Sequence, residues 1–157
     1  MKIKLAYFLL ISMLILGSCT PTIEKEQGLS YSEFVNNQEL TESVVSTYPS
    51  GQKKAVVYFI KGESDKEIVK EVHFFENGNI QVEGTLKNKK RQGIWTFYYD
   101  NGKIWSTGEF NDGNSEGIFN IYDKEGLLKI KSYYKNNKKV KEDYFSKGIF
   151  LKSKDFK

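Results

Sequence analysis

Glycines recur along this chain at one interval. Gly78, Gly102 and Gly126 are 24 residues apart, and so are the pairs Gly84/Gly108 and Gly93/Gly117. Three glycine registers with a common period leave little room for chance, and a period in this range marks a stacked array of small units. Side chains keep the same step: Phe74, Tyr98 and Tyr122; Ile80, Ile104 and Leu128; Trp95 and Phe119; Ile94 and Ile118; Leu86, Phe110 and Tyr134. Upstream, Tyr48-Pro49-Ser50-Gly51 aligns with Phe75-Glu76-Asn77-Gly78 at 27, with the three extra residues assigned to the Gly62-Glu63-Ser64-Asp65 loop. Downstream the pattern decays: Gly108 becomes Ser132, Gly117 becomes Lys141, and the last match is approximate, at Ser146-Lys147-Gly148. Decayed end units are expected where an array must present a polar outer side.

Each unit reads as two strands. Asn77-Gly78 and Asn101-Gly102 are hairpin signals that predict type I′ turns, with Glu125-Gly126 a weaker copy. Residues 87–92 and 111–116 form the opposite turns. Between turns lie Val, Ile, Phe, Tyr, Trp and Thr, which favour strands. The expected fold is all-β: an antiparallel meander of eight to ten strands, open or rolled. Two-residue alternation assigns Ile80, Val82, Gly84, Leu86, Trp95, Phe97, Tyr99, Ile104, Ser106, Gly108, Phe110, Phe119, Ile121, Leu128 and Ile130 to a core face. It places an aromatic ladder of Tyr58, Phe74, Tyr98, Trp105, Tyr122 and Tyr133 among polar residues on the other face. Such a ladder is either a binding surface or a set of cross-strand pairs that stabilise the sheet. Gly84 and Gly108, inside strands, mark the close approach of a facing ring or a bulge.

The first residues speak to the compartment. Lys2 and Lys4 precede about a dozen mostly apolar residues, signal-peptide length and short of the ~20 a spanning helix needs. The run ends at Leu16-Gly17-Ser18-Cys19, which resembles a bacterial lipobox around the one cysteine of the chain. In that reading residues 1–18 are a lipoprotein signal peptide, the Cys19 thiol takes the diacylglyceryl group, residues 19–42 are a tether, and residues 43–157 form the repeat domain. The alternatives are an ordinary signal peptide with a stray cysteine, or an uncleaved anchor. Tyr31-Ser32-Glu33-Phe34-Val35 reads as a short helical turn or as no regular element, and residues 43–48 as the first strand.

Removal of Lys2 and Lys4 lowers the net charge from +4 to +2, which with export argues against nucleic acid as a partner. Ten lysines from Lys129 to Lys157 face only Glu142, Asp143 and Asp155. That basic end suits an anionic surface or a solvated face that keeps an edge strand soluble.

Signals for catalysis are weak. His73 is the one histidine, with no second ligand type beside it, and reads as structural. Glu71, Glu83 and Glu109 fall on strands, but nothing suggests the burial that raises an acid's pKa. Asn111-Asp112-Gly113-Asn114 lacks the spacing of a calcium loop and reads as a hairpin turn. No cofactor and no metal is expected.

The stretch from Phe74-Phe75-Glu76-Asn77-Gly78 through Gly84, Lys87-Asn88 and Gly93-Ile94-Trp95 to Phe97-Tyr98-Tyr99-Asp100-Asn101-Gly102 resembles the MORN-repeat variant found in YwqK-type toxin–antitoxin proteins. The resemblance covers about residues 48–148. It implies an open, repetitive β-sheet that serves as a binding or spacing surface, without a catalytic motif. It also implies an envelope protein or a toxin as partner, with phospholipid or glycan as the alternative. An exported lipoprotein meets a toxin only in the envelope, so immunity rather than cytosolic neutralisation is the form an antitoxin role takes.

Overall fold

The computed structural model describes residues 30–62 and 67–157. A short helix, α1 (Tyr31–Asn36), precedes ten strands among the described residues. They are β1 (Leu40–Thr47), β2 (Lys53–Ile60), β3 (Lys70–Phe74), β4 (Ile80–Lys87), β5 (Lys90–Tyr98), β6 (Ile104–Asn111), β7 (Asn114–Tyr122), β8 (Leu128–Lys135), β9 (Lys138–Ser146) and β10 (Ile149–Asp155). Every strand pairs antiparallel with its neighbours in chain order, and the sheet is open, with β1 and β10 at its edges. The expected meander is therefore the fold. The extra residues assigned to the 62–65 loop, the signal peptide and Cys19 lie outside the described residues, apart from Gly62.

The turns differ in kind from the expectation. At Asn77-Gly78 and Asn101-Gly102 only the glycine has positive φ, +85° and +81°. The amide of Gly78 donates to the Phe75 carbonyl and that of Phe75 to the Asn79 carbonyl, so the loop is longer than a two-residue turn. The Asn77 and Asn101 side chains instead accept from the amides of Asn79 and Lys103. Pairs of positive φ stand at the opposite turns: Asn88-Lys89, Asp112-Gly113, Asn136-Asn137 and Lys147-Gly148. Those are the tight two-residue hairpins whose twist matches the strands.

Bulges follow the repeat. Glu83 pairs with Thr96 and Thr85 with Gln92, so Gly93-Ile94-Trp95 bulges opposite Gly84. One unit on, Thr107 pairs with Asn120 and Glu109 with Glu116, so Gly117-Ile118-Phe119 bulges opposite Gly108. Gly93 and Gly117 take φ of +74° and +69° there, a region open to glycine. Where Lys141 replaces that glycine, the bulge shrinks to the single residue Val140.

Most domains bury a sheet face beneath a second layer. Here, among the described residues, the second layer is α1 alone. The aromatic cluster of the core lies on one face of the sheet: Leu86, Trp95 and Phe110, with Ile68, Val82, Phe97 and Phe119 against them; Val56 and Val72 are buried on the other face, as is Val35 of α1. Trp95 is only 1% exposed. Its indole lies flat on Gly84, where a Cβ would come within 2.2 Å of the ring, and Phe119 lies on Gly108 in the same way, at 2.1 Å. Sinking rings onto a glycine floor is how one layer hides large apolar surfaces without a partner sheet. Both alternatives for these glycines, ring approach and bulge, hold at once.

On the opposite face α1 sits over β4 and β5. Ser30 caps it: its hydroxyl accepts from the Glu33 amide and its own amide donates to the Glu33 carboxylate, a capping box. The Tyr31 hydroxyl donates to the Leu86 carbonyl at 2.9 Å. Residues 30–36, expected as part of a tether, are thus packed on the sheet.

Candidate functional site

The six residues of the expected ladder do not share one surface. Phe74 pairs with Ile80, Tyr98 with Ile104 and Tyr122 with Leu128, each after a register shift beside the turn. The aliphatic partners assigned to the core face therefore lie beside the aromatic residues on the other face. Tyr58 and Tyr133 stand in a different row, paired with Lys70 and Lys141. Trp105 is the extra residue of its bulge, and its ring meets Phe97 edge-on at 6.2 Å, which puts it on the core face. It remains 45% exposed. A continuous ladder is thus corrected to two rows on one face and a single tryptophan on the other. The physical reason is that a bulge residue breaks the two-residue alternation on which the face assignment rested.

A longer aromatic chain runs along the core face, unnoticed in the sequence. Trp95 and Phe110 lie 6.3 Å apart, Phe110 and Phe119 5.3 Å, and Phe119 and Tyr134 4.8 Å, centroid to centroid. Cations close both ends. The Arg91 guanidinium lies 4.2 Å from the Trp95 centroid and 5.2 Å from that of Phe110, and Lys139 lies 5.8 Å from that of Tyr134. The signal was present as the 24-residue step linking Leu86, Phe110 and Tyr134.

On the α1 side, polar groups converge beside the helix. Ser30, Ser32, Glu33 and Asn36 of α1 and its cap face Lys70, Glu83, Thr85, Ile94 and Thr96 across a cleft of about 490 Å³. Ser32 Oγ lies 3.0 Å from Thr85 Oγ1, and a Cβ on Gly93 would come within 2.0 Å of Ser32 Oγ. Lys70 Nζ stands 2.9 Å from Glu83, which also accepts from the Tyr98 hydroxyl at 2.8 Å. Burial pulls Glu83 upward, but Lys70 and Tyr98 outweigh it and hold the carboxyl below its usual range. Burial and the bond to Glu83 push the Tyr98 hydroxyl up to about 12. The arrangement favours a charged carboxylate beside a neutral phenol. Tyr58 makes a similar bond to Glu42 at 3.1 Å, and Lys53 pairs with the same carboxylate.

The terminal unit shows what replaces ring on glycine. Ser132 stands where Gly84 and Gly108 stand, and donates to Glu142 at 3.0 Å; Lys139 and Tyr144 also bond Glu142. On the other face Asp143 accepts from Ser153 at 2.6 Å and Tyr133 at 2.8 Å, and pairs with Lys141. The Ser153 hydroxyl, then Lys141 and Tyr133, hold Asp143 down at about 2. The lysines of this basic end divide between the faces. Lys131 and Lys141 lie over Phe145 and Tyr133 on one, and Lys152 lies over Tyr144 on the other.

The His73 ring contacts the Glu71 carboxylate, and Asp112 sits in a hairpin turn paired with Lys90. Among the described residues no group of three or more His, Cys, Asp or Glu is placed to hold a metal ion, and no helix is long and apolar enough to cross a membrane.

No curated protein matches the chain. Among solved structures, the Glycosylation Associate Protein (Gap123) complex from Streptococcus agalactiae is similar over 65% of this chain and 18% of that one, at 16% identity and a TM-score of 0.42. TarM is similar over 78% of this chain and 24% of its own, at 10% identity and a TM-score of 0.34. The chain thus spans less than a quarter of the length of either. Two adjacent units of the sheet, residues 69–88 and 91–112, match the family model of the MORN repeat variant.

Proposed function

We propose that the protein is a non-catalytic, lipid-anchored lipoprotein of the bacterial envelope, whose MORN-type sheet is a protein-binding or scaffold module. One observation carries this reading: a ten-stranded sheet among the described residues that leaves large apolar side chains in water. Ile94 is 63% exposed and Ile118 45%, side by side in one groove on the α1 face. Grouped exposed apolar residues mark interaction surfaces. The match of two units to the MORN repeat variant supports the same reading. The Lys70–Glu83–Tyr98 cluster is the polar group nearest in form to a catalytic site, and there Lys70 and the Tyr98 hydroxyl already engage the one carboxylate. The partner is an envelope protein or a toxin arriving in the envelope, and an immunity role is the form in which an antitoxin relationship applies.

Anchoring rests on Leu16-Gly17-Ser18-Cys19. Growth with labelled palmitate should mark the wild-type protein and leave Cys19→Ser unlabelled; label retained in Cys19→Ser refutes the anchor. Binding is tested by crosslinking in native membranes, recovery of the acylated protein and mass spectrometry. Trp105→Ala and Tyr98→Phe probe opposite faces. One dominant partner lost in either variant supports the module and names its face. No enriched protein, together with salt-sensitive sedimentation on anionic vesicles, turns the reading toward phospholipid.

A further inference from the structure

The seat that α1 occupies is repeated, without α1, one unit further along the sheet. The cleft beneath α1 is lined by Lys70, Glu83, Gly84, Thr85, Ile94 and Thr96. A second groove, of about 370 Å³, is lined by Ile94, Thr107, Gly108, Glu109, Gly117, Ile118 and Asn120. Adding 24 to each sheet residue of the first cleft yields a residue of the second. The two bulges have the same register and the same positive-φ glycine. In the first seat the space over Gly93 holds the Ser32 hydroxyl; in the second, the nearest atom over Gly117 is a Glu109 carboxylate oxygen, 3.1 Å from where a Cβ would stand. The backbone is thus shaped twice for a short helix bringing a small residue over the glycine, and among the described residues it is filled once.

The substitutions between the seats say what fits the open one. Thr85 becomes Glu109, and Lys70 becomes Ile94. Glu109 pairs directly across the strands with Glu116, so two acidic residues are cross-strand neighbours. Glu116 accepts from the Asn136 amide, and among the described residues neither forms a salt bridge. Like charges opposite one another destabilise a sheet and are relieved by a cation. A second copy of α1 is a poor occupant: its Glu33, which shares the first cleft with Lys70, would lose that cation and meet Glu109.

We propose that this groove on β6 and β7 docks a short helical segment of a partner protein, with a serine, alanine or glycine over Gly117 and a lysine or arginine against Glu109. Ile94 and Ile118 supply the apolar walls. The proposal rests on the binding-module reading and names its surface.

The probe is a lactam-bridged helical peptide of residues 30–38 carrying Glu33→Lys, fluorescently labelled and titrated with the full chain. Saturable binding is expected, at least tenfold weaker for Glu109→Lys and for the peptide that retains Glu33. Glu109 is exposed, so its variant keeps the fold, which circular dichroism checks. Absence of saturable binding overturns the proposal, as does binding indifferent to Glu109→Lys, which points to the seat of α1 itself. Crosslinking in membranes separates the two readings. A partner captured equally by wild type and Glu109→Lys sinks the groove and leaves the module standing, whereas a partner lost with Glu109→Lys supports both.

Discussion

Replacing Gly84 by alanine should destabilise the protein, although the same change in an ordinary strand stabilises it by ~0.5–1 kcal/mol. The added methyl would lie 2.2 Å from the Trp95 ring, where carbon atoms need about 3.5–4.0 Å. The ring must therefore lift by about 1.3 Å or more. Overpacking of this kind costs ~1–3 kcal/mol. Lifting also strains the 3.1 Å bond from Trp95 Nε1 to the Thr85 carbonyl, worth ~1 kcal/mol, and the Arg91 contact at 4.2 Å, worth ~0.5–1 kcal/mol. Set against the strand gain, the net loss is about 2–4 kcal/mol. Urea unfolding followed by tryptophan fluorescence measures it. A double-mutant cycle with Trp95→Ala isolates the cause. Trp95→Ala alone should cost ~3–5 kcal/mol, and the methyl at 84 then enters vacated space, so the double variant should be about 2 kcal/mol more stable than additivity predicts. A change in Gly84→Ala within about 0.5 kcal/mol of zero, or strict additivity with Trp95→Ala, would refute the ring-on-glycine account.

Gly93→Ala should detach α1, because φ is +74° and its Cβ would meet Ser32 Oγ at 2.0 Å; hydrogen exchange should speed up at the Phe34 and Asn37 amides while β8 and β9 stay protected. Lys89→Gly should raise the thermal midpoint by a few degrees, since Lys89 holds φ of +62° at a cost of about 1 kcal/mol that glycine avoids; an unchanged or lower midpoint counts against it. Asp143, held at about 2 against an ordinary 3.8, contributes stability that is complete above pH 4 and disappears as the pH falls toward 2. Asp143→Asn should therefore match wild type more closely at pH 2 than at pH 6 in urea midpoint, and an equal gap at both refutes the assignment.

The period, the strand content and the need for glycine at 84 and 108 are legible in the sequence because they are local or repetitive. A hairpin turn selects Gly or Asn within two or three residues, and a strand selects β-branched and aromatic residues one at a time. The Ser30–Glu33 capping box was equally local, and it makes a helix of a segment for which either a helical turn or no regular element was expected. What the sequence could not show is how far one strand slides past the next. Gln81, Trp105 and Lys129 are each one residue too many for the strand opposite, and such a single-residue bulge resets the alternation for every residue beyond it. That is why Trp105 turned from the expected ladder to Phe97, and why Ile80, Ile104 and Leu128 joined the face of Phe74, Tyr98 and Tyr122. The seat of α1 and its copy on β6 and β7 belong to the same class. Lys70, Glu83 and Ile94 come together only through strand pairing, whose register is a non-local balance of hydrogen bonds and ring packing that no single segment encodes.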